Sequence, residues 1–209
     1  MMAMLTQANE TRWASTCSRV GIGSEHAASI WLQLCAAYSD PSRHYHNLQH
    51  IDRMLAWLDL STQGSDALKV AVWYHDCVYV PLAQDNETQS VKVFIADMGD
   101  QVSESFRQDV SRLILATDVR RPRSQQSDEQ LMADIDLSIL SADSAVYTTY
   151  ATAIRREYAA VPDDEYIAGR SAVLRKILSN PIYSTDLFMP REPLARRNIE
   201  DELLRLDEE

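Results

Sequence analysis

Trp73-Tyr74-His75-Asp76-Cys77-Val78-Tyr79 sets an imidazole and a carboxylate side by side within the chain's longest apolar stretch, Leu68 to Ala83. The surrounding residues read as an apolar helix, and burying both polar groups inside it has a cost. A lone buried carboxylate neutralises or destabilises the fold, so the pattern demands a compensating partner, either a cation or a hydrogen-bonded network. Satisfied buried polar groups are the rule, and a His–Asp pair satisfied by its neighbours is the plainer of the two readings.

Outward from this stretch the periodicity is helical. Leu48, Ile51, Leu55 and Leu58 recur at steps of three and four, as do Val110, Leu113 and Ile114, and then Leu131, Ile135, Ile139 and Leu140. Only five Gly and seven Pro occur, and no Asn-Gly or Asp-Gly pair separates alternating apolar residues, so hairpin signals are missing. Breaks at 21–23, 39–43, 61–65, 81–85, 99–103, 120–128, 141–142, 161–163 and 181–193 divide the chain. About nine or ten helices of roughly 10 to 18 residues result. Ser24, Asp66, Ser103 and Asp163 read as their caps, and Asn86 with Glu87 opens another. The segment from Arg120 to Asp128 reads as an exposed, mobile loop. The expectation is an all-α, single-domain helical bundle over residues 1–209.

The chain has 209 residues, a length that suits one domain with one core. Its net charge is −11, and six acids against one Arg in residues 200–209 make an acidic tail. Such a balance repels a phosphate backbone, and no Lys/Arg stripe offers counterion release, so duplex nucleic acid is disfavoured. No stretch reads as a transmembrane or secretory segment. Cys17, Cys35 and Cys77, odd in number and set among apolar neighbours, suit a reducing compartment. These features lead to a cytoplasmic protein as the expectation.

Two further patterns carry chemistry. All five histidines lie in the first 75 residues, three of them in Arg43-His44-Tyr45-His46-Asn47-Leu48-Gln49-His50. With a helix starting near Asn47, His46 and His50 fall about one turn apart, as a metal pair or as hydrogen-bonded boundary histidines. In Met132-Ala-Asp134-Ile-Asp136-Leu-Ser138 two acids stand about 200° apart on a helix. One of them turns inward and the other meets solvent or a supporting group; Asp136, between Ile135 and Leu137, is the inward choice.

His50, then His75-Asp76, then Asp136 reproduce the order His…His-Asp…Asp of the HD superfamily of metal-dependent phosphohydrolases. Beyond that skeleton, RHYHNLQHI, WYHDCVY, Asp85-Asn86-Glu87, DIDLSIL and the late EY…GR…IY…E..AR.N pattern resemble a bacterial subgroup of predicted HD phosphohydrolases, from about Arg43 to Leu204. The resemblance implies an all-α fold with a central site in which His50, His75, Asp76 and Asp136 hold one divalent metal. Two imidazoles and two carboxylates suit Mn, Fe, Co, Ni or Mg, with Zn also possible. The implied reaction is hydrolysis of a small phosphorylated metabolite, foremost a nucleotide, by metal-activated water. Asp76 then belongs to the catalytic set as well as to the ligands, and Glu87 is either the general acid/base or a helix N-terminal acid favoured by the dipole.

Arg43, His46, Arg170 and Arg197 are the candidate substrate-phosphate ligands, each with a surface ion pair as its plainer alternative. Tyr45, Trp73, Tyr74 and Tyr79 are either core or base-stacking surfaces. Relatives carry a His after the segment Leu115-Ala116-Thr117, where this chain reads Asp118-Val119-Arg120-Arg121. The resemblance also implies that members holding two metals, the di-iron oxygenases among them, need further His ligands between the His-Asp pair and the last Asp, and with no His after residue 75 this chain does not fit them. The missing imidazole also keeps open a catalytically weak or inactive nucleotide-binding sensor. Monomer and homodimer are both compatible with the sequence.

Overall fold

A computed structural model describes residues 2–61 and 64–208. Among them the chain forms ten α-helices and no strand. The apolar stretch becomes α4 (Asp66–Tyr74), started by the Ser65 hydroxyl, which accepts from Leu68 N–H. Val70, Ala71, Val72, Trp73 and Tyr74 are completely buried, because a helix apolar all round is stable only when covered on every side. Its cover comes from α1 (Met2–Arg19), α3 (Leu48–Leu60), α5 (Asn86–Met98), α6 (Glu104–Leu115) and α7 (Ser127–Asp136). Trp73 meets Trp13 and Trp31 edge-on, with ring centroids 6.0 and 5.7 Å apart. Trp31 belongs to α2 (Ser24–Tyr38), and Tyr38 at the end of that helix donates to Trp73 O at 2.9 Å.

One expectation needs correction. His75 and Asp76 lie at the end of α4, with His75 as its C-cap, and not inside the helix. Arg43 is the cause: its guanidinium donates to the carbonyls of Asp76 and Cys77 at 2.6 and 3.1 Å, satisfying oxygens that a continued helix would have used. The central helix therefore delivers the His-Asp pair into the interior and stops there.

The later helices are α8 (Ser144–Glu157), α9 (Asp163–Leu178) and α10 (Glu192–Leu206), with short 3-10 turns at Gly99–Gln101, Leu137–Ser141 and Met189–Arg191. They brace the end of α7. Asn198 on α10 donates to the carbonyls of Leu140 and Ala142 at 2.9 and 2.8 Å, and Tyr183 donates to Leu137 O at 3.0 Å. Glu192 accepts from the backbone of Ile182 and Tyr183 and from Arg196. Most of the late sequence pattern is thus scaffold. The acidic segment is no free tail either: α10 runs through it to Leu206, and Glu202 is buried.

Caps show smaller differences. Ser103 caps α6 as expected, accepting from Phe106 N–H, but Ser24, Asp66 and Asp163 are first helical residues behind the caps Gly23, Ser65 and Pro162. The Arg120–Asp128 segment is largely exposed, yet Arg120 and Arg123 tie it to Gln84 and to the Ile182 carbonyl. No helix among the described residues is long and apolar enough to cross a membrane.

Candidate metal centre

Three elements in mutual contact, α3, α4 and α7, bring four side chains together. His50 sits in the first turns of α3, whose cap Asn47 accepts from Gln49 N–H and whose inner face carries Leu48, Ile51, Met54, Leu55 and Leu58. His75 and Asp76 come from the end of α4, and Asp136 is the last residue of α7. His50 Nε2 and His75 Nε2 are 3.1 Å apart. Asp76 Oδ2 lies 3.0 Å from His75 Nε2 and 3.7 Å from His50 Nε2. Asp136 Oδ1 lies 3.2 Å from His50 Nε2 and 3.6 Å from His75 Nε2.

Three of them, His50, His75 and Asp76, offer ligand atoms that all lie within 4.8 Å of one another, a set that could hold a divalent cation, while Asp136 stands beside the two imidazoles. Atoms bound at about 2.1 Å to a shared centre stand roughly 3.0 to 3.4 Å from their neighbours, close to the separations observed. His75 Nδ1 faces Val72 O at 2.9 Å; a carbonyl only accepts, so Nδ1 carries a hydrogen and the ring turns its Nε2 edge toward the other three groups. The electrostatics agree. Burial alone pushes the Asp136 carboxyl up, but hydrogen bonds and charge from His50 and His75 bring it down to about 2. Asp76 is held below the ordinary carboxylate range against burial by His75 first, then His46 and His50. Burial lowers His50, whereas the two carboxylates overcome burial at His75 and raise it well above its ordinary value. The field between the carboxylates therefore favours positive charge on the Nε2 edge.

Asp134 departs from expectation. Both acids of the Asp134–Asp136 pair turn into the protein, because a second layer covers the far side of α7. Asp134 is completely buried and accepts from Ser184 N–H, Thr185 N–H and the Thr185 hydroxyl at 2.9, 2.8 and 2.7 Å.

Around the cluster the remaining candidates take distinct places. Arg43 holds the carbonyls of the His75-Asp76 turn, as described. His46 Nδ1 pairs with Glu157 Oε2 at 2.6 Å and its ring stacks on Tyr79 at 4.0 Å. Arg170 is buried and forked onto Glu202, with a further contact to the Tyr150 hydroxyl. Arg197 is exposed on α10. Trp73 and Tyr74 are core, and Tyr45 packs against His50 with centroids 4.9 Å apart.

Glu87, in the first turn of α5, receives Arg120 Nη2 at 3.1 Å. Arg120 also pairs with Asp118 and is held by Gln84, which follows a tight turn at Val80–Ala83. In that turn Leu82 takes a φ of 69°, a conformation that favours glycine. Arg120 and Arg53, considered further below, were not singled out by the sequence reading. For Arg53 the signal was its place three residues beyond His50, on the same side of the helix.

A cavity of about 480 Å³ opens elsewhere, between the ends of α6 and α7, and contains none of the four converging residues. Arg112 on its wall is already paired with Asp128 and Glu129.

Glu157 gives a pH prediction. Burial works to raise its carboxyl, but His46 and the backbone N–H groups of Tyr45 and His46 hold it below the usual value. A depressed folded-state pKa supplies stability above the unfolded value of about 4.3 and loses it as pH falls through the folded value. The melting-temperature gap between wild type and Glu157→Gln is expected to be present at about pH 5 to 6 and to close on acidification below about pH 4.

Compared with known proteins, the chain matches no protein-family model, no curated protein and no solved structure.

Proposed function

We propose that the protein is a metal-dependent phosphohydrolase of the HD type, acting on a small phosphorylated metabolite. The observation that supports this reading is the cluster of His50, His75 and Asp76 with Asp136 beside both imidazoles, drawn from three helices and in the order His…His-Asp…Asp. A bound divalent ion supplies Lewis-acid polarisation of a phosphoryl oxygen and acidification of a water, whose pKa falls from about 15.7 toward neutrality. The protein's own groups do the rest. The Nδ1–H of His75 fixes the ring so that Nε2 faces inward, and Arg43 fixes the turn that carries Asp76.

Glu87 is the proton-handling group in this reading. Burial, with Asp118 and Asp76 nearby, raises its carboxyl against the pull of Arg120, so it holds a proton to higher pH than an ordinary glutamate. Glu87→Gln is expected to keep its metal and lose about a hundredfold or more in kcat; unchanged kcat would remove Glu87 from the mechanism.

The test of the reading is a screen of nucleoside mono-, di- and triphosphates, cyclic dinucleotides and generic phosphoesters with Mn²⁺- or Co²⁺-loaded protein. Turnover above a His75→Ala, Asp76→Ala background is expected. Thermal stabilisation by nucleotides without product would select a binding protein instead.

A further inference from the structure

Beside the His–Asp cluster stand buried donors with nothing to donate to. The Tyr45 hydroxyl and Arg53 Nη1 are both buried and meet no hydrogen-bond partner among the described residues. His50 Nδ1, on the far side of that ring from the other ligands, is unpaired as well. The groups are neighbours. The Arg53 guanidinium carbon lies 5.8 Å from the centre of the Tyr45 ring, and that ring packs at 4.9 Å on His50 and at 4.7 Å on Tyr150.

A buried donor without an acceptor costs about 1 to 3 kcal/mol, and two of them beside one reactive centre imply an acceptor-rich ligand. The charges narrow its nature. Arg43 is committed to backbone carbonyls, Arg120 to Asp118 and Glu87, and Arg170 to Glu202. Of Arg43, Arg53, Arg120 and Arg170, only Arg53 forms no ion pair and no carbonyl bond among the described residues, its one contact being the Tyr45 ring. Glu87, with Asp118 and Asp76 near it, repels additional negative charge on that part of the site.

We propose that Arg53 Nη1 and the Tyr45 hydroxyl form the anion-holding wall of the site, and that they take two oxygens of a single phosphoryl group. The substrate is accordingly a monophosphate and not a di- or triphosphate chain. This substrate class rests on the hydrolase reading above; the anion wall itself does not.

The experiment titrates inorganic phosphate, pyrophosphate and tripolyphosphate into wild type, Arg53→Gln, Arg53→Lys and Tyr45→Phe, each both Mn²⁺-loaded and metal-free. Binding is followed by calorimetry, and metal content by elemental analysis. Phosphate is expected to bind the wild type, about tenfold or more weakly to Arg53→Gln and a few-fold more weakly to Tyr45→Phe. Metal content should not change, and the two polyphosphates should bind no tighter than phosphate. Because Arg53 gives up no ion pair and loses only its contact with the Tyr45 ring, Arg53→Gln is expected to melt close to the wild type. Should it fail to fold, Arg53→Lys, with one donor point in place of a fork, carries the same comparison with weakened binding.

Equal phosphate affinity in wild type and variants, no phosphate binding to wild type in either metal state, or tenfold tighter polyphosphate binding would each overturn the proposal. If no ester is hydrolysed while phosphate binding still depends on Arg53, the hydrolase reading fails and the anion wall stands. Ester hydrolysis with Arg53-independent phosphate binding gives the reverse.

Discussion

The His75→Ala, Asp76→Ala double variant is expected to hydrolyse phosphate esters at least about a thousandfold more slowly than the wild type while remaining folded. Lewis-acid stabilisation at a metal site is worth several kcal/mol, and each 1.36 kcal/mol is a tenfold change in rate. The substitution removes two of the four converging groups and, with them, the field that favours positive charge on the Nε2 edge. The turn itself should survive. Arg43 binds the carbonyl oxygens of residues 76 and 77, which alanine also supplies, and the buried face of α4 ends at Tyr74. Rate measurement with Mn²⁺, alongside far-UV circular dichroism, checks both halves. A variant that is folded and as active as the wild type would disprove the role of this pair.

The second large effect falls on stability. Arg170, nearly buried, is forked onto the equally buried Glu202, which also accepts from the Tyr147 hydroxyl at 2.5 Å. Glu202→Ala leaves the Arg170 charge without its carboxylate and the Tyr147 phenol without its acceptor in the interior, which costs about 3 to 5 kcal/mol. In a protein of this length each kcal/mol moves the melting temperature by about 2 to 4 °C, so a drop on the order of 10 °C is expected. The same measurement decides what Arg170 is for. Arg170→Met should lower the melting temperature with little change in KM if the residue is scaffold, and should raise KM with little change in melting temperature if it touches substrate. The geometry argues for scaffold: the carboxylate fork takes Nε and Nη2, Tyr150 covers the guanidinium face, and the side chain is nearly buried.

The helical architecture is legible in the sequence because the apolar residues repeat at the helical period and few residues break it. The four converging side chains are legible because two of them stand in apolar surroundings where polar groups need a reason. Asp134 was harder to read. Its burial depends on the 182–185 segment closing over the far face of α7, some fifty residues away along the chain, and no local pattern reports that contact. Glu202 looked like part of an acidic tail for the same reason: its partners, Arg170 and Tyr147, are distant in sequence. The end of α4 was misplaced because an arginine thirty-three residues upstream captures the carbonyl of Asp76. Arg53 and Tyr45 stand out only once burial is known, since an unpaired donor is a property of its surroundings and not of its residue type.

Elemental analysis of the purified protein after loading with Mn²⁺ and exhaustive dialysis bears most directly on the centre. We expect close to one equivalent of metal per chain in the wild type, and none in a variant with His50, His75, Asp76 and Asp136 all replaced by alanine. Wild-type protein that retains no more metal than that variant would show that these side chains meet for structural reasons alone.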